Sequence, residues 1–141
     1  MEALGREFNA IAIADNVYVP LKDCGGVTFL CYLAAAAGDT YTLTEATSAG
    51  GGGSQVLATI TRYWTSNGVG GAWTLHTQAA GSTVVTATAT AENGMVVEVD
   101  VEELSDGYTH VKLASTGAGL VTAIQRDLKV QRSPANLPAL V

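Results

Sequence analysis

Val97, Val99 and Val101 alternate with Glu98, Asp100 and Glu102, a two-residue period that puts valines on one side of an extended chain and carboxylates on the other. That is the pattern of a half-buried β-strand. Comparable alternation recurs along the chain, and no segment carries an amphipathic-helix pattern of similar quality. In residues 40–46 Tyr41 and Leu43 oppose a row of threonines, which predicts a second strand. Val85, Ala87 and Ala89 alternate with Thr86, Thr88 and Thr90 in the stretch before Asn93-Gly94, a step that favours a tight hairpin turn. Residues 56–64 and 73–77 read as the arms of a hairpin across the turn signal of residues 66–71, and residues 108–113 and 120–130 as the last two strands.

Two stretches depart from simple alternation. Val27-Thr28-Phe29-Leu30-Cys31-Tyr32-Leu33 is a nearly continuous apolar run of strand length, which predicts burial on both faces. Ala34 to Ala37 is cut off by Gly38-Asp39 after one potential helical turn and reads as a connection. The glycine run 50–53, flanked by serines, predicts a flexible surface loop.

The ends differ from the body. Pro20 suits an edge strand or a strand end, and residues 1–14 read as a peripheral N-terminal arm. Residues 15–132 form the body. Residues 133–141 hold Pro134 and Pro138, which remove donors and push Ser133 and Leu137 into extended conformations, so they predict a C-terminal arm with Leu137, Leu140 and Val141 as apolar anchors. About eight strands with turn signals at regular spacing define an all-β chain, an antiparallel β-sandwich or a barrel-like domain with extended N- and C-terminal arms.

The bulk properties narrow the function classes. A chain of 141 residues is most simply one domain. Thirteen acidic and seven basic residues leave a net charge of −6, which repels a phosphate backbone and disfavours nucleic acid as a partner. No apolar run approaches the roughly 20 residues that cross a bilayer, and residues 1–7 lack the basic, then apolar, character of a signal peptide, so no membrane partner is expected. Cys24 and Cys31 are too few for a disulfide scaffold and fit synthesis in a reducing compartment. Only 14% of residues are charged, which is low for a freely exposed surface and points to a covered one.

Candidate chemistry is sparse. His76 and His110 are the only histidines, each among threonines and apolar residues in a predicted strand, with no partner at metal-binding spacing. Ser105, Asp106, His110 and Ser115 allow a triad to be drawn, but no nucleophile elbow accompanies them. The run of glycines 50–53 is followed by no lysine and no helix, unlike a phosphate loop. Glu98, Asp100 and Glu102, about 7 Å apart along a strand face, match the spacing of glycosidase pairs or a weak calcium site, but a solvated face, or one that meets a basic partner, is the simpler and favoured reading. Trp64 and Trp73 flank the hairpin turn and suit stacking on a ligand or packing in a core or interface. No catalytic residue, cofactor or metal is expected.

As an ordered set, residues 26–29, 39–46, 73–80, 97–100 and 104–111, with the ending Leu128-Lys129-Val130-Gln131-Arg132-Ser133-Pro134-Ala135-Asn136-Leu137-Pro138, resemble small virion structural proteins encoded beside the major capsid gene in tailed phages, those of actinobacteria in particular. The resemblance implies a capsid decoration, or cement, protein: a β module made in the host cytoplasm, bound outside the icosahedral shell to the major capsid protein, and forming a homo-oligomer, with a trimer on local threefold positions favoured. Trp64, Trp73, Glu98, Asp100, Glu102, Pro134, Leu137, Pro138, Leu140 and Val141 are the interface candidates. A tail-associated structural protein and a carbohydrate-binding β-sandwich module are the alternatives.

Overall fold

A computed structural model describes residues 8–33, 38–67, 70–86 and 92–129 of the chain. Eleven strands follow in order: β1 (Phe8–Ile11), β2 (Val19–Pro20), β3 (Gly26–Tyr32), β4 (Thr40–Ala46), β5 (Gln55–Val56), β6 (Ile60–Ser66), β7 (Thr74–Gly81), β8 (Thr83–Val85), β9 (Gly94–Asp100), β10 (His110–Ser115) and β11 (Leu120–Arg126). All pairings are antiparallel. They build one six-stranded sheet, β1-β11-β3-β9-β6-β7, and one five-stranded sheet, β2-β10-β4-β5, in which β8 also pairs with β4. The two sheets form a sandwich and not a closed barrel.

Alternation decides which side chains fill the space between the sheets. The inner positions of β3, β9 and β11 supply Val27, Phe29, Cys31, Met95, Val97, Val99, Val121 and Ala123, and the facing sheet supplies Val19, Tyr41, Leu43, Val111 and Leu113. These residues are at most 1% exposed. A one-residue slip of β9 against β3 would exchange Val97 for Glu98 in this layer, so burial itself holds the register Phe29 opposite Val97.

Several local expectations change. Residues 8–11, read as arm, are the edge strand β1 paired along β11, and Ala14 is fully buried, so the body begins by Phe8. Residues 1–7 and 133–141 lie outside the described residues. Of residues 83–90, read as one strand, Thr83–Val85 form β8, and residues 87–91 lie outside the described residues. The glycine loop is tied down: Thr47 N donates to Gly52 O at 2.9 Å, Gly52 N to Ser48 Oγ at 3.1 Å, and Tyr108 Oη to Gly53 O at 3.0 Å. Gly51 has φ +78° and a Cβ there would lie 2.9 Å from Tyr18 Cε2, so two constraints select glycine.

Candidate interaction surface

The outer positions of the six-stranded sheet carry the least expected feature. Residues paired across strands project to the same side, and the registers align Leu75, Trp64, Val96 and Leu30 from β7 through β6 and β9 to β3, ending on Thr122 of β11. The next row places Leu120 beside Tyr32, and Tyr32 beside Gly94. Trp73 fills the space that Gly94 leaves: a Cβ at Gly94 would come within 3.3 Å of Trp73 Cη2. An apolar belt thus crosses the outer face. Tyr32 is 47% exposed, Trp73 51%, Leu75 54% and Leu120 61%.

At its other end the same face is charged. Arg126 pairs with Asp100, and its Nη1 lies 3.1 Å from Asp127 Oδ2. Arg62, Glu98, Asp100, Glu103 and Arg126 surround a shallow depression of ≈ 190 Å³. Arg62 also lies over the Trp64 ring, 5.8 Å from its centroid, which joins the charged end to the belt. β9 stops at Asp100, where residues Val101–Glu103 form a 3₁₀ turn. Glu102 therefore leaves the strand face expected from the sequence, and Glu103 takes the neighbouring position, accepting from the Asp100 amide at 2.8 Å. Burial raises the Glu103 carboxyl above its ordinary value despite that bond.

Polar groups elsewhere in the molecule hydrogen-bond within the fold. Asp39 accepts from the Thr40 amide at 2.7 Å, Thr116 Oγ1 at 3.0 Å, the Gly119 amide at 3.1 Å and Ser115 Oγ. Burial opposes its ionised form, but these donors outweigh it and hold the carboxyl below its usual value. Glu45, with no solvent exposure, accepts from Gln55 Nε2 at 2.7 Å and the Ser105 amide at 2.9 Å. Here too the hydrogen bonds overcome burial and lower the pKa. His76 stacks on Tyr63 with centroids 4.9 Å apart and its Nε2 meets Thr65 Oγ1 at 2.7 Å. His110 Nδ1 meets Thr109 Oγ1 at 2.8 Å, and burial lowers its pKa. Ser105 and Ser115 are committed to Gln55 and Asp39, so the drawn triad does not assemble. Cys24 and Cys31 are free, buried thiols, and burial raises both pKa values. Among the described residues no group of three or more His, Cys, Asp or Glu converges on a metal position.

No protein-family model, no curated protein and no solved structure matches the chain. Of the residues singled out from the sequence, Trp64, Trp73, Glu98 and Asp100 come together on one face. Glu102 sits apart in the 3₁₀ turn, and Pro134, Leu137, Pro138, Leu140 and Val141 lie outside the described residues. Leu30, Tyr32, Leu75, Val96 and Leu120 were missed. For Leu30 and Tyr32 the signal was the apolar run 27–33, read as buried on both faces. Its odd positions Val27, Phe29 and Cys31 are covered, whereas Leu30 and Tyr32 face outward without an overlying layer among the described residues.

Proposed function

We propose that this chain is an adhesive structural module of the virion, a decoration protein that seats the outer face of its six-stranded sheet on the exterior of a tailed-phage capsid and clamps neighbouring major capsid subunits. The observation that carries the reading is the belt of Leu30, Tyr32, Trp64, Trp73, Leu75, Val96 and Leu120, with charged residues at one end. An apolar, aromatic centre with a polar rim is the anatomy of a protein-binding surface. Exposed apolar patches of several hundred Å² mark contact sites on soluble proteins. The resemblance to phage virion proteins supports the shell as partner, and the internal hydrogen bonding of Asp39 and Glu45 agrees with a role in which the protein holds rather than reacts.

In this reading residues 133–141 reach onto adjoining subunits and add effective concentration to each belt contact. The test mixes the purified chain with undecorated shells and follows occupancy and shell disassembly on heating. Binding that raises the disassembly temperature, and that falls when Leu30 is changed to Asp, is the expected result. Shells that stay bare, or bind the Leu30→Asp chain equally well, overturn it.

One observation favours a second reading. Tyr32, Trp64 and Trp73 share the face on which Glu98 and Asp100 sit, an arrangement suited to stacking on a sugar ring beside carboxylates that accept its hydroxyls. Glycan-array binding lost on Trp73→Ala would support the carbohydrate module over the cement protein. A micrograph of labelled virions separates head from tail.

A further inference from the structure

Sheet edges are sites of unwanted pairing, and folded proteins blunt them with short strands, prolines or charges. Three edge strands here follow that practice. β2 has two residues, one of them Pro20; β5 has two residues and β8 three. β1, at one end of the large sheet, has four. The opposite end, β7, is the exception: eight residues, Thr74-Leu75-His76-Thr77-Gln78-Ala79-Ala80-Gly81, without proline, lysine, arginine or carboxylate. Its ladder runs to β6 alone, and among the described residues no element pairs with its other side. Thr74, Leu75, Thr77, Ala79 and Ala80 are all exposed.

We infer that β7 is a dimerisation strand, pairing antiparallel with β7 of a second copy about a twofold axis. Antiparallel pairing of a strand with itself is self-complementary, so one contact satisfies both edges at once. Charge selects the copy's approach. The chain carries a net charge of −6 and repels itself over most of its surface, whereas two β7 edges meet without opposing carboxylates. Glu92 Oε1 lies 3.9 Å from His76 Nε2, against the imidazole of the same chain. Thr77 and Leu75 supply β-branched and aliphatic side chains on the outer side of the seam, and such cross-strand pairs stabilise antiparallel ladders.

The pairing also extends the surface already described. Leu75 is the last residue of the apolar belt and stands on β7 itself. Joining two large sheets edge to edge carries the belt across the seam, from Leu30 and Trp64 of one copy to Trp64 and Leu30 of the other. The resulting unit is a twofold dimer in place of the threefold assembly that the resemblance implies. This inference goes beyond the capsid reading, because it concerns the free chain and holds whatever the belt binds.

Light scattering and hydrogen exchange on the full chain test it. The expected result is a dimer at about 100 µM protein, with amides at alternate β7 positions exchanging more slowly as concentration rises. Thr77→Lys places like charges at the seam and should weaken dimerisation at least about tenfold, whereas Thr77→Val and Leu30→Asp should leave it in place. A monomer at that concentration overturns the inference. So does a dimer broken by Leu30→Asp and untouched by Thr77→Lys, which would assign the contact to the sheet face. Should Thr77→Lys lose its β-sheet circular dichroism, the exchange pattern of the unaltered chain decides alone: concentration-independent β7 amides refute the pairing. Failure of the unaltered dimer to bind shells would count against the capsid reading only.

Discussion

Asp39 provides a direct test of the assignment of polar groups to structure. Its carboxylate ties the turn after β10 to the start of β4, accepting from the Thr40 and Gly119 amides and from the Ser115 and Thr116 hydroxyls. In Asp39→Ala the two hydroxyls can turn to water, and the Gly119 amide keeps a bond to Ser115 Oγ at 3.2 Å. The Thr40 amide loses its side-chain acceptor. A hydrogen bond to a charged group contributes about 1.5–3 kcal/mol, and the Thr40 amide bond is part-buried, so the variant should lose about 2 kcal/mol. For a domain of this size that lowers Tm by about 7 °C. The pH dependence has a definite sign. The folded carboxyl titrates below its unfolded value, so its contribution is complete above about pH 4 and is lost as pH falls through the folded pKa. Urea unfolding near neutral pH and at about pH 3 should therefore show a difference between parent and Asp39→Ala that shrinks on acidification. A variant within about 0.5 kcal/mol of the parent at neutral pH, or a gap that widens in acid, would refute the clamp.

Further outcomes follow from burial and space. Tyr32 is 47% exposed, so roughly 100 Å² of its side chain remains to be covered, and at about 25 cal/mol/Å² Tyr32→Ala should reduce shell affinity between tenfold and a hundredfold while Tm stays within about 2 °C; co-sedimentation and a melting curve read both. Val97→Ala empties a fully buried position and should cost about 2 kcal/mol in urea unfolding without altering belt contacts. Gly119→Ala puts a Cβ 2.5 Å from Tyr41 Oη and 2.7 Å from Asp39 Oδ2 and should destabilise by about 2 kcal/mol, whereas Gly50→Ala meets nothing within 4 Å and should be neutral or slightly stabilising. Cys24 and Cys31 should resist iodoacetamide in the folded protein and react on unfolding, since both thiols are buried and their pKa values are raised; mass spectrometry after a timed pulse distinguishes the two states.

Strand identity was readable from the chain because side-chain alternation is a local property of extended backbone. Val97, Val99 and their carboxylate neighbours mark β9, and Tyr41 and Leu43 mark β4, without any tertiary contact. The end of β9 was less readable, since Val101-Glu102 continues the alternation while the backbone turns into a 3₁₀ segment at Asp100. The glycine run showed freedom but not its restraint, because Tyr18 and Tyr108, which hold it, come from distant parts of the chain.

The amino-acid order by itself determined an acidic all-β body of half-buried strands, through a period that needs only neighbouring residues to express it. Only the tertiary structure decided that Leu30 and Tyr32 point away from the core, that Trp64 and Trp73 meet them on one outer face, and that β7 ends the sheet with no strand beyond it among the described residues. A continuous apolar run marks a strand with two faces to bury, but whether a layer exists above each face depends on sheet order. That order comes from pairings between residues far apart in sequence, which no local pattern contains.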